Sequence, residues 1–456
     1  MLRYLLVPLS SLAIVACQAT AQTPGPAAAP SGGIQAGPSM ESDPAIVATL
    51  LKLMELKDNT RPASDDFERT ALKDLVRLGT PRGFHLRNRY TRLGVSLSEA
   101  LAVTDDPRLK EQMLELARWE RNSEIKAVAL LSLAGRKEPE QIKVFDEALV
   151  NVDPGVRFAA LEALELWNLP EAKRLLHHVV RTDLQPILKV YAAQALLRRG
   201  GEAGREELLR QLDSGDWLAR AMAARYLGEL GTGADYDLLL DRMGREQTND
   251  FVIAEHAIAC LKLFPKKTPS ASVPPPSSPL PAEGEDELEA LVITAPRLKI
   301  PPTALIDGRI NAQLFRLLED RANARPTEEQ LQDPSIKTLN SLVSPAGFQL
   351  KTRYTELGFL LTEGLAGTSD LVLRERLLRV ARQGSNPQVR AAALLAVAYN
   401  KDLQDRGLFQ EALLAPEFTV RFGAVEALQV WGKPGSAQDI GNVGRLDASA
   451  FLRVYA

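Results

Sequence analysis

Aromatic residues, histidine and cysteine are scarce in this chain. Of its 456 residues only 5% are Phe, Trp or Tyr, four are His and two are Cys. Two cysteines cannot build a disulfide framework. Cys17 falls in the N-terminal apolar run, and Cys260 takes the place of small residues such as Ala163 and Ala195, so it reads as a buried small apolar side chain. Four scattered histidines without cysteine partners give no zinc spacing. The one adjacent pair is His177-His178, and neighbouring helical side chains point about 100° apart, too far to share an ion easily. No metal and no cofactor is expected. The chain also lacks G-x-S-x-G, a P-loop and a dinucleotide-binding glycine fingerprint, so no catalytic residue is assigned. Formal charge is only −3, with both signs interspersed. The positions Glu162, Glu165, Gln194, Arg198, Arg225 and Glu229 form no basic stripe, and without one phosphate charge is not neutralised, which excludes nucleic acid as a partner.

What the chain has is a repeat. Asp153–Trp167, DPGVRFAALEALELW, reads as an amphipathic helix with Asp153 as N-cap and Pro154 at the first helical position. With Arg157 as anchor, equivalent positions are Lys126, Lys189, Arg220, Ala254, Arg390, Arg421 and Arg453, and the first-half steps are 31, 32, 31 and 34 residues. Three residues after each anchor stands alanine: Ala129, Ala160, Ala192, Ala223, Ala257, Ala393, Ala424 and Ala456. Helix propensity alone would spread alanine over all columns. A single alanine column implies that neighbouring helices approach closely there. Four residues before the anchors lies a mostly polar set of expected N-caps: Asn122, Asp153, Gln185, Asp216, Asp250, Asn386, Glu417 and Ser449. A period of this length with two helices per unit implies an all-α fold, an α-solenoid of stacked helix pairs.

The runs D-P-x-V-R-x-x-A-x-x-A-L at Asp153–Leu164 and N-P-x-V-R-A-A-A at Asn386–Ala393 resemble HEAT repeats. The short spacing is closest to the HEAT-like repeats named after phycobilisome lyases, and nothing else matches those enzymes. The resemblance implies that the anchor arginine pairs with an Asp of a neighbouring repeat, with Asp153 and Asp216 as expected partners. The alternative for the anchors is a basic groove for an anionic ligand.

Along the chain, residues 1–21 read as an export signal whose apolar stretch, Leu5–Val15, is too short to span a bilayer. It ends in Ile14-Val15-Ala16-Cys17, which resembles a bacterial lipobox; the resemblance implies lipidation at Cys17 and, with Gln18 next, sorting to the outer membrane. The alternative is cleavage after Ala21 and a secreted soluble protein. Residues 22–41 read as a flexible linker. Residues 42–264 are a first HEAT-like module, 265–304 a Pro-rich and acidic linker, and 305–456 a second module. Trp431 lies 264 residues after Trp167, and Gly347-Phe348 lies 264 after Gly83-Phe84, so a whole module is duplicated without a gap from about residue 46 to residue 192. The second copy stops within the helix that Ile187–Ala192 begins in the first, so the chain reads as a fragment.

Gly83-Phe84-x-Leu86-x-x-Arg89-Tyr90-Thr91 recurs as Gly347-Phe348-x-Leu350-x-x-Arg353-Tyr354-Thr355, and Glu99 recurs as Glu363. Arg89, Tyr90, Glu99, Arg353, Tyr354 and Glu363 are therefore candidate binding residues; the alternative is a structural knot where cap joins solenoid. The expected function is a membrane-tethered, non-enzymatic scaffold in the bacterial cell envelope, holding a protein or peptide partner on its solenoid surface. Duplication would make it bivalent. The alternatives are a lyase-like enzyme or accessory factor, and a structural spacer.

Overall fold

The structure, a computed structural model, describes residues 45, 48–50, 52, 101, 106–247, 249–267, 308–319, 332–342, 346, 347, 350, 365 and 371–456. Ten helices make five pairs in the first copy: α1 (Pro107–Trp119) with α2 (Ser123–Arg136), α3 (Ile142–Leu149) with α4 (Pro154–Trp167), α5 (Ala172–Thr182) with α6 (Pro186–Arg198), α7 (Glu202–Gln211) with α8 (Trp217–Leu230), and α9 (Tyr236–Arg245) with α10 (Asp250–Lys267). Two helices, α11 (Gly308–Glu319) and α12 (Pro334–Ser341), come next. Three further pairs complete the described chain: α13 (Leu371–Gln383) with α14 (Pro387–Tyr399), α15 (Arg406–Leu413) with α16 (Phe418–Trp431), and α17 (Ser436–Leu446) with α18 (Ala450–Tyr455). Each of α13 to α18 starts 264 residues after its counterpart among α1 to α6. No strand occurs among the described residues. The fold is an all-α solenoid.

The expected caps explain most helix starts. The Asp153 carboxylate accepts the Gly155 N–H at 2.8 Å and also the Ser123 hydroxyl, Asp216 accepts the Ala219 N–H at 3.0 Å, and Asn122 and Asn386 each accept two N–H groups of the first turn. Three positions differ. Asn249, not Asp250, receives the Phe251 and Val252 N–H groups, at 3.0 and 3.3 Å. Gln185 and Glu417 occupy the cap position without capping. At α6 the carboxylate of Asp183, two residues earlier, accepts the Gln185 N–H at 2.8 Å instead. Helix ends are also duplicated: after α4 the chain turns through Asn168 at φ 49°, and after α16 through Gly432 at φ 57°. Asparagine and glycine are the residues that adopt this left-handed cap at least cost.

The second helices of successive pairs pack on each other, and seven of the eight column alanines are deeply buried, Ala456 being only partly so. Ala129, Ala160, Ala192, Ala223, Ala257, Ala393 and Ala424 are all completely buried. The closest approaches use glycine. A Cβ on Gly423 of α16 would stand 2.6 Å from the Ala391 Cβ of α14, and one on Gly228 of α8 would stand 2.6 Å from the Ala259 Cα of α10. Cys260 is buried beside them, as its place in the pattern predicts.

Between the first and second helices the core is pinned by tryptophan. Trp167 meets Phe145 edge-on at 5.8 Å and donates its indole N–H to the Glu138 carbonyl at 2.9 Å. Trp431 repeats both contacts, with Phe409 at 5.8 Å and the Asp402 carbonyl at 2.8 Å. Burying a ring while satisfying its one polar atom stabilises the pair without an unmet donor.

Enlarging these buried small residues should force the second helices apart. Ala160→Leu and Gly228→Val are each expected to lower the unfolding free energy by about 1–3 kcal/mol, read from urea midpoints of the full chain. An unchanged midpoint for both would show that small side chains do not set the spacing.

Candidate interaction surface

Three of the anchor arginines are structural clamps, whereas Arg390 holds Glu417, at the cap position of the next second helix, at 3.2 Å and the Ala381 carbonyl at 3.3 Å. Arg157 of α4 reaches forward with Nε and Nη2 to both carboxylate oxygens of Asp183, at 2.8 and 3.2 Å. Its Nη1 donates back to the Asn151 and Val152 carbonyls, at 2.9 and 3.3 Å. Arg421 repeats the arrangement on Asp447 and on the Ala415 and Pro416 carbonyls. Arg220 grips a single oxygen of Glu246 with Nε and Nη2, at 3.1 and 3.0 Å, and also the Ser214 and Gly215 carbonyls. Each clamp thus ties the turn inside its own pair to the acid that ends the first helix of the next. Asp153 and Asp216, the expected partners, are not the acids used. Their oxygens satisfy N–H groups at the starts of α4 and α8, and the guanidinium fork finds the later acid bidentately.

A second ladder joins the first helices. Arg374 of α13 holds Asp405 at 2.7 Å and Asp402 at 3.0 Å, and Arg406 of α15 holds Asp439 at 2.9 Å. Burial pushes the Asp405 carboxyl above its ordinary range, against the pull of Arg374. Burial also acts upward at Asp439, but hydrogen bonds from Arg406 and Gln410 outweigh it and hold that carboxyl low.

On the second helices the charged positions form an alternating row. Glu165 accepts from Arg198 at 2.7 Å and Gln194 at 3.3 Å, and Glu229 receives Arg225 at 3.0 Å and Lys262 at 3.7 Å, with Arg198 at 4.0 Å. Burial pushes the Tyr191 phenol well above its usual range, and the Glu165 and Glu162 carboxylates beside it add to the shift. The row couples α4, α6, α8 and α10 by pairing opposite charges.

Part of this layer is covered by the chain itself. α12 of the second copy packs on α4 of the first. The Ala346 N–H donates to both carboxylate oxygens of Glu162, each at 3.2 Å, and the Thr338 hydroxyl reaches the Gln185 side chain at 3.4 Å. The Ser341 carbonyl comes so close to Gly155 that a Cβ there would stand 2.0 Å from its oxygen. Arg316 of α11 meets Asp250 of α10 at 2.7 Å.

Among the described residues six of the nine exposed large apolar side chains lie on the edge formed by the turns within pairs, Leu166, Leu403 and Val454 lying elsewhere. Trp119 is 79% exposed, Val150 73%, Val152 95%, Leu184 90%, Leu414 86% and Leu446 80%. Each lies at or beside the turn between the first and second helix of a pair. In a stack of helix pairs these turns share one edge, so the apolar side chains recur along a line instead of being scattered singly. The clamps hold the same turns: Val152 supplies one of the carbonyls that Arg157 grips, and Leu184 follows its acid, Asp183.

Cys17, Arg89, Tyr90, Glu99, Arg353, Tyr354 and Glu363 lie outside the described residues. His177 and His178 sit side by side on α5, partly and fully exposed. No group of three metal-binding side chains occurs among the described residues. No described helix is long and apolar enough to cross a membrane.

Residues 107–196 and 174–262 match the family model for HEAT repeats, a stretch that runs from α1 into α10. This part of the chain is a run of HEAT repeats, and the described residues form a helical repeat scaffold. No curated protein matches the chain. A solved structure of human deoxyhypusine hydroxylase in complex with glycerol aligns with 18% identity over 64% of this chain and 96% of its own, at a TM-score of 0.25. At that score no activity is carried over.

Two predictions follow from the clamps and their surroundings. Arg157→Ala strands the buried Asp183 and is expected to cost about 2–4 kcal/mol in denaturant unfolding, with Arg157→Lys restoring only part because an ammonium lacks the planar fork. Full rescue by lysine would show that charge alone suffices. The second concerns His256 of α10, buried near Glu246, Arg220 and Arg242, whose Nδ1–H donates to the Val252 carbonyl at 2.8 Å. Burial pushes this imidazole down to about 4. The unfolded chain therefore binds a proton between pH 6.5 and 4 that the folded chain does not, so stability falls as pH falls through that window. Lowering the pH from 7.5 to 4.5 should cost about 2–3 kcal/mol more in the parent chain than in His256→Leu. Equal pH slopes in the two proteins would remove this role.

Proposed function

We propose that this protein is a non-enzymatic interaction scaffold, tethered by lipid to the bacterial cell envelope, that takes a protein or peptide partner along the turn edge. The observation that carries the reading is the recurrence of exposed Trp119, Val150, Val152 and Leu184 at successive pairs, and of Leu414 and Leu446 in the second copy. Apolar side chains lined up on one edge fit a partner that buries them, and turns gripped by arginine are already ordered before binding, which lowers the entropic cost of association. The tether is read from the lipobox-like run at Cys17, with an outer-membrane lipoprotein as the expected destination. Anchor and ladder arginines are engaged with acids and turn carbonyls, which favours a mechanical role for them over a groove for anions.

The edge is tested with the full chain captured from membranes. Val152→Asp combined with Leu184→Asp should reduce recovery of the captured partner by about tenfold or more, whereas His178→Asp should leave it unchanged. The same proteins recovered in the same amounts by all three would remove the edge from the reading. Growth with labelled palmitate should label the parent chain and not Cys17→Ser. An unlabelled parent would remove the lipid tether and leave the secreted form.

A further inference from the structure

The turns that carry the exposed apolar side chains use most of their own backbone groups. At the first, Lys126 donates to the Arg118 carbonyl at 3.0 Å, and Glu120 accepts the Arg121 and Asn122 N–H groups at 2.8 and 2.9 Å. At the second, Arg157 takes the Asn151 and Val152 carbonyls, and the Asn151 side chain accepts the Asp153 N–H at 2.9 Å. At the third, Asp183 accepts the Gln185 N–H at 2.8 Å. A strand added to an edge needs a row of unpaired backbone donors and acceptors. A partner lying here is therefore held through side chains.

The spacing selects the conformation of that partner. Trp119, Val152 and Leu184 stand at three successive turns, and packed neighbouring helices lie about 8–10 Å apart. An α-helix returns a side chain to one face about every 5 Å, half that step, so every second apolar residue would face nothing. A polyproline II chain has about three residues per turn and rises about 9 Å in each. Every third side chain then falls on one face at the step of the turns. Such a chain has no internal hydrogen bonds and leaves its backbone in water, which suits an edge with few backbone groups to give. Trp119, 79% exposed, offers the flat aromatic face on which proline rings pack.

Free charge within the same turns is basic. Arg121, two residues after Trp119, and Arg181, three before Leu184, are exposed and form no ion pair among the described residues. The acids of these turns are withdrawn: the Asp183 side chain is only 5% exposed beneath Arg157, and Glu120 is folded onto two N–H groups. The exposed Glu115 and Asp146 lie a helical turn behind Trp119 and Val150. A chain laid along the turns thus meets arginine near each end, with Val150 and Val152 between.

We propose, on the reading that the turn edge docks a partner, that the partner of the first-copy edge is an extended proline-rich peptide with an apolar side chain at every third position and acidic residues between, its carboxylates meeting Arg121 and Arg181. The second copy holds a reduced version. Leu414 and Leu446 remain and Arg445 stands for Arg181, but Gln383 replaces Trp119 and Ser385 replaces Arg121. It binds the same peptide more weakly.

The test uses the purified full chain and fluorescein-labelled peptides of about fifteen residues, long enough to cross three turns. They repeat Leu-Pro-Glu, Leu-Pro-Lys or Leu-Gly-Glu and are read by fluorescence anisotropy. Leu-Pro-Glu should bind about tenfold or more tighter than the Lys peptide, which has the wrong charge, and than the Gly peptide, which must first be ordered. Arg121→Glu with Arg181→Glu should turn the preference over to Leu-Pro-Lys, and Trp119→Ala should weaken Leu-Pro-Glu by about tenfold. These side chains are exposed, so urea midpoints should not move. Absence of saturable binding, equal binding of Leu-Pro-Glu and either control, or a preference that survives the charge reversal would overturn the proposal. If Val152→Asp with Leu184→Asp still loses the partner captured from membranes, the edge stands as a docking site and only the chemistry assigned to its partner falls.

Discussion

The distance between consecutive second helices is the constraint on which the other contacts depend. It is kept short by side chains that are nearly absent: glycine in α8 and α16 where it faces Ala259 and Ala391, within a layer rich in buried alanine. Packing at this range leaves no volume to relax into, so the interior transmits displacement instead of absorbing it. The arginine clamps reach their acids only because the layers are this close. The indole N–H bonds of Trp167 and Trp431 tie each unit to the turn before it, so they too depend on the register.

On that spacing the clamps build order at the surface. A turn between two helices is ordinarily among the more mobile parts of a fold. Here a guanidinium binds two of its carbonyls and an acid of the neighbouring pair, so the turn shares the rigidity of the stack. The exposed Val152, Leu184 and Leu414 are carried on such turns. An apolar edge held in one conformation suits recognition better than the same residues on loose loops.

Much of this was legible in the chain. Polar residues ahead of an apolar helical period marked the starts of α2, α4, α8 and α14, and the alanine column marked deeply buried positions, whereas the close glycine approaches at Gly228 and Gly423 fall outside that column. The duplication could be read residue by residue, and every helix from α13 to α18 keeps its register. The choice of clamp acid was not legible. Asp153 and Asp216 carry the right charge near the right place, but a carboxylate that caps a helix is already committed to backbone N–H groups. The cross-copy contact was hidden for a different reason. Ala346 and Glu162 are 184 residues apart, and a backbone N–H donor leaves no trace in side-chain pattern. The recurring Arg89, Tyr90 and Glu99 element and its second copy were visible as a repeat, but a repeat in sequence does not distinguish a binding surface from a structural joint.

The clamps also show where the chain has slack. Arg157, Arg220 and Arg421 each find their acid 26 residues later, and Arg390 finds Glu417 27 residues later, 4 before the next anchor. The onward distance to the next anchor varies, being 6 residues from Asp183 to Lys189 and from Asp447 to Arg453, and 8 from Glu246 to Ala254. Most of the variation in unit length thus falls after the acid, in the turn before the second helix. One part of each unit works as a gauge that keeps the pitch, and the other is free to lengthen or change. Such a division lets the turn edge vary unit by unit without retuning the stack beneath it.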